Sequence, residues 1–351
     1  MELATDTRRP RKTSEMKRAR ILTRSILCFG MFMVCLLLGG CRHRDLCHDH
    51  PHTRVQVIVE FDWAEDPGAN PSEMTVHLFR TGSRSPYVFD FKGREGGTIA
   101  IPAGTYAALC YNNDSDSHGF TGKDSHQDFG LRLGDLRSLG DMSSSPLRFP
   151  RAQGAENERM ANTPDSIWVG TVQVFEVDAP EPGVTTAVPQ VMRFEMFRAV
   201  YMYTFIIHNT VNFNNSTTIT ASISGMSGTV HPGRRETGSE TVTHAFGMKP
   251  TKDGGLIGQM LTFGHCASNP IGSRRASDDI AEHLLVVNAT LSDGSQWHTT
   301  HNVTDQIHGY SPTADCVVHL DSLPLPKPNP EGGGFGPTVG GWEGNTEVVG
   351  M

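Results

Sequence analysis

The sequence predicts an all-β protein made of two tandem β-sandwich domains that follow an export signal. Three observations lead to this prediction: short segments in which apolar and polar residues alternate, Gly, Pro, Asn or Asp between those segments, and no convincing long amphipathic helix. Short strands separated by such turns are typical of sandwiches, whereas a parallel α/β sheet needs helices between its strands.

The first predicted sandwich spans residues 55–178. Its clearest strand is at 55–63, where Val55, Val57, Val59 and Phe61 alternate with mostly polar residues. Residues 113–165 are polar and are predicted to be a long loop. The other strands of this domain are predicted at residues 74–80, 87–91, 98–101, 105–112 and 167–177.

The second predicted sandwich spans residues 184–323, after a boundary at 179–183 with the sequence Ala-Pro-Glu-Pro-Gly. Residues 292–295 (Ser-Asp-Gly-Ser) predict a hairpin turn between two of its strands. Its strands are predicted at 188–194, 200–208, 217–223, 241–246, 256–263, 284–291, 297–303 and 316–320.

Residues 324–351 form a Pro- and Gly-rich arm. The Pro part is expected to be extended and the Gly part to be a hinge. A last short strand is predicted at its end, formed by Thr346, Glu347, Val348 and Val349.

The first 40 residues have the features of a bacterial lipoprotein signal peptide. Basic residues precede a 13-residue apolar run at 26–38, which is too short to span a bilayer but suits a signal peptide. The run ends in Leu38-Gly39-Gly40-Cys41, in which the Cys41 thiol is the predicted lipidation site. Residues 41–54 then form a polar tether, and the lipid places the mature protein at a membrane.

The chain after the signal peptide is acidic. Residues 1–40 contain eight Lys/Arg and three Asp/Glu, so their removal changes the net charge from −8 to −13. Nucleic-acid binding requires a basic surface, and this composition argues against it. An acidic body suits a soluble surface protein held near a membrane by its lipid.

Four cysteines remain once the signal peptide is removed and Cys41 is acylated. In an oxidising compartment they allow up to two disulfides with three pairings, among which the sequence does not choose. The alternative is that they are small buried apolar residues. The four are Cys47, Cys110, Cys266 and Cys316.

No catalytic, metal or cofactor signature is present. The tether contains His43, Cys47, His48, His50 and His52, which are metal-ligand types, but no second ligand cluster accompanies them, and a hydrophilic tether is the favoured interpretation. Asp114, Asp116, Asp124 and Asp128 lack the EF-hand spacing and favour a solvated loop. The four tryptophans suit core packing more often than sugar stacking: Trp63, Trp168, Trp297 and Trp342.

Several segments together resemble a family of uncharacterised Bacteroidales lipoproteins related to fimbrillin minor subunits and fimbrial anchors. The resemblance covers nearly all of the mature chain and is specific to the family rather than to a mechanism. The segments with this resemblance are the lipobox, 46–52, 59–63, 93–97, 101–106, 111–114, 224–228, 261–266, 291–294, 303–306, 325–328 and 332–335.

This resemblance implies two transthyretin-like sandwiches on an outer-membrane lipid anchor, exposed at the cell surface. It further implies an accessory or anchor role in fimbriae assembled by strand exchange, with a fimbrial subunit as partner and no enzymatic activity. Residues 346–349 would be a suitable donor strand, because an unpaired sheet edge accepts an added strand, and the alternative is that this strand folds onto the chain's own sheet. The alternative hypothesis is a surface glycan-binding lipoprotein that helps to capture polysaccharide.

Overall fold

The structure is a computed structural model that describes residues 54–136, 149–179, 189–266 and 281–328. It consists mainly of short strands along which buried and exposed residues alternate. These residues contain one five-residue helix, α1 (Thr304–His308), and a 3-10 turn at Phe213–Asn215. None of the described helices is long and apolar enough to cross a membrane. The strands are β1 (Arg54–Asp62), β2 (Glu73–Arg80), β3 (Tyr87–Lys92), β4 (Gly97–Pro102), β5 (Gly104–Asn112), β6 (His118–Thr121), β7 (Gly130–Leu133), β8 (Arg159–Ala161), β9 (Trp168–Val177), β10 (Gln190–Glu195), β11 (Phe197–Arg198), β12 (Tyr201–Val211), β13 (Ser216–Ser227), β14 (Thr229–His231), β15 (Glu236–Thr237), β16 (Thr241–Pro250), β17 (Leu256–Thr262), β18 (Leu284–Leu291), β19 (Gln296–Asn302) and β20 (Cys316–Pro324).

The first strands build a sandwich from two sheets. One has the order β10-β1-β4 and the other the order β11-β9-β5-β2-β3. Val57 and Val59 of β1 share a core with Val76 of β2 and Phe194 of β10, so the two sheets pack against each other. The alternating burial of β1 follows the period of two that the sequence predicts. The all-β sandwich prediction is thereby confirmed.

The later strands form a large sheet with the order β19-β18-β13-β16-β17-β12-β20, with β8 paired to β16. A four-stranded sheet, β15-β14-β7-β6, packs against it through a common core. This core also includes Leu109 and Tyr111 of β5, whereas Ala108 and Cys110 of the same strand belong to the first core. The second half of β5 is therefore buried on both faces, and this strand is shared by the two cores.

The strands on either side of the predicted domain boundary, β9 and β10, both belong to the first sandwich, one in each of its two sheets. Residues 180–188 lie outside the described part, and the boundary at 179–183 stays a prediction. Immediately afterwards, β10 pairs in parallel with β1, with Val57 opposite Gln190 and Phe61 opposite Phe194. A strand that follows the predicted boundary thus completes a sheet that begins at β1.

The predicted loop at residues 113–165 contains three short strands. β6 and β7 pair as a hairpin, β7 pairs with β14, and β8 pairs in parallel with β16. Local polarity favours a loop here, but β7 and β8 are stabilised by partners far along the chain and β6 by β7, and the loop prediction is wrong for them. Arg132 of β7 and Arg159 of β8 both donate hydrogen bonds to Glu240, which strengthens the junction.

Candidate interaction site at the edges of the large sheet

One end of the large sheet is β20, the last described strand. β20 pairs in parallel with β12, from Tyr203 opposite Cys316 to Val211 opposite Pro324. The contact continues one residue further, because the Leu325 N–H donates to the Val211 carbonyl at 3.2 Å and the Leu325 side chain is buried. The chain is therefore held to the sheet up to Leu325, at the start of the Pro/Gly-rich arm.

Side chains cap the outer edge of β20. The Gln306 amide donates to the His319 carbonyl at 2.9 Å, and its oxygen accepts the His319 N–H at 2.8 Å. The Tyr310 hydroxyl donates to the Val317 carbonyl at 3.4 Å. A side-chain amide that bonds both groups of one residue occupies the position of a neighbouring strand, so this end of the sheet is protected against strand addition.

The opposite end of the sheet, β19, is different. The Leu291 N–H donates to Ser295 across the hairpin turn, which makes these two residues a hydrogen-bonded pair. Such pairs recur every second residue, so Trp297, Thr299 and His301 bond to β18. The backbone groups of the alternate residues face outward, and within the described ranges no backbone hydrogen bond to a further strand is present: Gln296, His298, Thr300 and Asn302.

The sequence of β19 offers little protection to this edge, which no described strand covers. Its residues, Gln-Trp-His-Thr-Thr-His-Asn, include no Lys, Arg, Asp, Glu or Pro, which are the residues that usually protect edge strands. Trp297 is half-buried against the core of the sheet and fixes the strand in place. A seven-residue strand of this kind can accept hydrogen bonds from, and donate them to, an added strand.

The predicted cysteine sites are only partly within the described residues. Cys110, Cys266 and Cys316 are free, buried thiols, so they form no disulfide among themselves. Cys110 contacts the Met196 sulfur at 3.4 Å, and burial raises the pKa of its thiol. Cys41, Cys47 and residues 346–349 lie outside the described part of the chain, and lipidation, any disulfide to Cys47 and the donor strand stay predictions.

An open cleft of about 600 Å³ lies beside β1, lined by Glu60, Asp62, Trp63, Arg94, Glu95 and Arg193 among others. Its tryptophan is buried rather than presented to solvent: the Trp63 ring is covered by the Arg94 guanidinium at 5.2 Å, and its N–H donates to the Arg94 carbonyl. Trp168 contacts Trp63 edge to face and donates to Asp66. These two tryptophans pack as the sequence favours, and the cleft offers polar side chains.

Two buried histidines, His265 and His283, meet the half-buried His308 at the end of α1, an arrangement that the sequence does not reveal. The rings of His265, His283 and His308 lie 4.9–5.3 Å apart, and Tyr203 hydrogen-bonds His265 at 2.7 Å. Burial lowers the pKa of His265 to about 4 and that of His283 to about 3. Even so, no group of three or more His, Cys, Asp or Glu in the described ranges is placed to hold a metal ion.

A family comparison decides the relationship of this chain to known proteins. Residues 40–247 match the family described as "Domain of unknown function (DUF5119)", which is more than half of the chain. The chain belongs to the DUF5119 family.

Relatives of this DUF5119 protein agree with the sequence resemblance. It is 23% identical to the "Putative fimbrium anchoring subunit Fim4B" of Bacteroides ovatus, over 89% of this chain and 95% of the relative. Its fold is similar to the crystal structure of a "putative adhesin" from Bacteroides ovatus, with a TM-score of 0.58, 19% identity, and coverage of 83% and 98% of the two chains. The fimbrial anchor protein Mfa2 from Porphyromonas gingivalis also matches, with a TM-score of 0.46, 16% identity, and coverage of 77% and 90%. The match to the Bacteroides ovatus relative confirms the predicted relation to fimbrial-anchor proteins.

Proposed function

We propose that this protein is a lipid-anchored accessory or anchor subunit of a fimbrium, and that it acts by pairing strands with a fimbrial subunit rather than as an enzyme. The main support is the similarity to the fimbrium anchoring subunit of Bacteroides ovatus, which extends over 95% of that relative. An anchor needs a membrane attachment and a protein contact. Cys41 would supply the first at the outer membrane, with the body at the cell surface.

Two features of the large sheet support strand pairing as the contact. The chain leaves β20 as a Pro/Gly-rich arm, which would carry residues 346–349 to a partner as a donor strand. The outer edge of β19, which is not covered by any strand in the described ranges, would accept a strand from a partner. The two arrangements differ in which protein supplies the strand, and they are separable by mutation.

Co-purification with the fimbrial subunit tests the contact. A chain ending at Pro328 keeps Leu325 and all of β20, so the body is expected to fold while the donor arm is lost. Thr300→Pro removes an outward-facing N–H from β19 without removing a bond to β18, and Thr300→Val is its matched control. Loss of the subunit with the truncation supports the donor arm, and loss with Thr300→Pro alone supports the β19 edge.

Two results would contradict the proposal at different levels. If both variants retain the subunit, strand pairing by these two routes is rejected, although an anchor role through another surface stands. If cells that lack the protein keep their fimbriae attached and release none into the medium, the anchor role itself is rejected.

The alternative is a surface glycan-binding lipoprotein, and the cleft beside β1 is the feature that favours it. Its carboxylates and guanidinium groups are of the kind that hydrogen-bond sugar hydroxyls. Saturable binding to a glycan array, lost in a Glu60→Gln, Asp62→Asn variant, would support this function. An array without any bound glycan would count against it.

A further inference from the structure

Two exposed histidines face each other across the last strand pair. His208 lies on β12 and His319 on β20, and the parallel register places His319 opposite Ile206. His208 is two residues beyond Ile206, so both imidazoles project from the same face of the sheet. The His208 Nε2 and His319 Nδ1 atoms are 3.0 Å apart, and the two ring planes differ by 5°.

The backbone beneath this pair is held firmly, while the rings are free to turn. His208 lies in β12, which has β20 on one side and β17 on the other. His319 is held by β12 and by the two hydrogen bonds to Gln306. Both side chains are exposed, so each ring can rotate without disturbing the core. Two ligands on a fixed backbone lose little entropy when they bind a common ion.

The spacing of the two nitrogens suits a shared metal ion. Imidazole nitrogens bind Zn²⁺ at about 2.0–2.1 Å, so two of them on one tetrahedral ion lie about 3.3 Å apart. A separation of 3.0 Å is close to this value. In the metal-free state one ring donates its N–H to the other. When a cation binds, the donor ring takes its other neutral tautomer, with the proton on its second nitrogen, and each ring turns a lone pair toward the ion.

We propose that His208 and His319 chelate a Zn²⁺-type divalent cation on the surface of the large sheet, with water in the remaining positions. Imidazole ligands favour Zn²⁺, Ni²⁺ and Cu²⁺ over Mg²⁺ and Ca²⁺. The ion joins β12 to β20, the strand from which the Pro/Gly-rich arm leaves. Since it binds the folded pair and not the separated strands, it stabilises the attachment of β20.

Zinc titration of the full-length protein by calorimetry, with Mg²⁺ as a comparison, tests this site. The tether also contains His and Cys, which bind zinc. The parent protein for this test therefore has Ala at positions 43, 47, 48, 50 and 52 in place of His43, Cys47, His48, His50 and His52, and each variant is made in this parent. His208→Gln and His319→Gln are each expected to weaken zinc binding at least about tenfold. His298→Gln, at an exposed histidine on β19, is expected to bind zinc as the parent does.

A second readout separates binding from folding. Without zinc, both variants are expected to melt within a few degrees of the parent, because both histidines are exposed. With zinc, only the parent and His298→Gln are expected to gain melting temperature. Equal zinc affinity in the parent and His208→Gln, or no zinc binding by the parent, would overturn the proposal. If a Gln variant does not fold, His208→Asn and His319→Asn provide the same comparison.

Discussion

At Gly96 the turn before β4 lies so close to β1 that there is no room for a side chain. Gly96 has a φ of +79°, and a Cβ at this position would overlap the Val59 carbonyl of β1. Gly82 has nearly the same φ, +80°, but has no neighbouring atom within 4 Å of such a Cβ. Replacing either glycine by alanine therefore costs a similar free energy for the left-handed backbone, but only at Gly96 does the new Cβ also collide with a neighbouring atom.

We expect Gly82→Ala to cost about 1 kcal/mol of unfolding free energy, from the left-handed backbone alone. Gly96→Ala is expected to cost about 3 kcal/mol, because β1 must also move away from the turn. Urea unfolding of both variants measures the difference. Equal urea midpoints for the two variants would show that the close contact with Val59 adds nothing to the loss of unfolding free energy.

The buried histidines make stability depend on pH. Unfolded His265 and His283 bind a proton near pH 6.5, whereas burial lowers their folded pKa values to about 4 and about 3. Between these values the unfolded chain binds more protons, so stability is complete above pH 6.5 and falls as the pH is lowered. Each group contributes up to about 1.4 kcal/mol per pH unit.

His283→Asn is expected to flatten this dependence between pH 6.5 and pH 4. Asn retains a donor for the Ser224 carbonyl, which His283 bonds at 3.1 Å, and it removes the buried Nε2 atom that has no hydrogen-bond partner. The measurement is the unfolding free energy at several pH values, with exposed His298→Asn as the control. A slope as steep as that of wild type would exclude His283 as a source.

At the scale of elements, α1 protects β20 through one side chain. Gln306→Ala removes both hydrogen bonds to His319 and leaves only the long hydrogen bond from Tyr310 to Val317 among the described caps of this edge. We expect this variant to self-associate at concentrations at which wild type stays monomeric. Analytical ultracentrifugation measures this, with Gln259→Ala, an exposed glutamine on β17, as the control. A monomeric Gln306→Ala would mean that the edge is protected by something else.

The junction of β7, β8 and β16 depends on one carboxylate. Burial alone would raise the pKa of Glu240, but hydrogen bonds from Arg132 and Arg159 and their charges outweigh it, and the pKa is lowered. Glu240→Gln is therefore expected to cost about 1–2 kcal/mol at neutral pH. The exposed pair of Glu236 and Arg234, 3.8 Å apart, gives a control in Glu236→Gln with a cost below about 0.5 kcal/mol.

The cost of Glu240→Gln is also expected to depend on pH. Because the folded pKa is lowered, the stabilisation is present above the unfolded value of 4.5 and is lost as the pH falls below it. Thermal melts at pH 7 and pH 3.5 compare the variant with wild type. A difference that persists unchanged at pH 3.5 would point to packing rather than charge.

Local patterns predicted the strands that alternate clearly, such as β1, β3 and β20, and the turn before β19. They did not predict β6, β7 and β8, which are only three or four residues long. β7 pairs with β14 and β8 with β16, and each of these partners lies more than 80 residues further along the chain. Nor did they predict that β5 is buried on both faces, although its run Ala-Ala-Leu-Cys-Tyr lacks polar residues.

The edge site was predictable only in part. The Ser-Asp-Gly-Ser turn fixes β19 as one strand of a hairpin, but whether a further strand covers it depends on the whole sheet. The cap of β20 joins Gln306 to a backbone 13 residues away, and no sequence pattern marks such a contact. The histidine cluster likewise gathers residues from three separate segments.

At the scale of the whole molecule, the proposed lipid at Cys41 determines where the protein works. Cys41→Ser removes the thiol that would receive the lipid and leaves the described residues unchanged. We expect the variant to move from the detergent phase to the aqueous phase in a Triton X-114 partition, while wild type stays with the detergent. A wild-type protein found in the aqueous phase would contradict lipid anchoring.

The first and the last described strands are each paired in parallel with an inner strand, and this has a mechanical consequence. β1 pairs in parallel with β10, and β20 pairs in parallel with β12. When opposite ends of a parallel pair are pulled, its hydrogen bonds lie across the direction of force and share the load, rather than opening one at a time. A protein held at its N-terminal end and pulled at its C-terminal end would meet such a shear clamp at both ends.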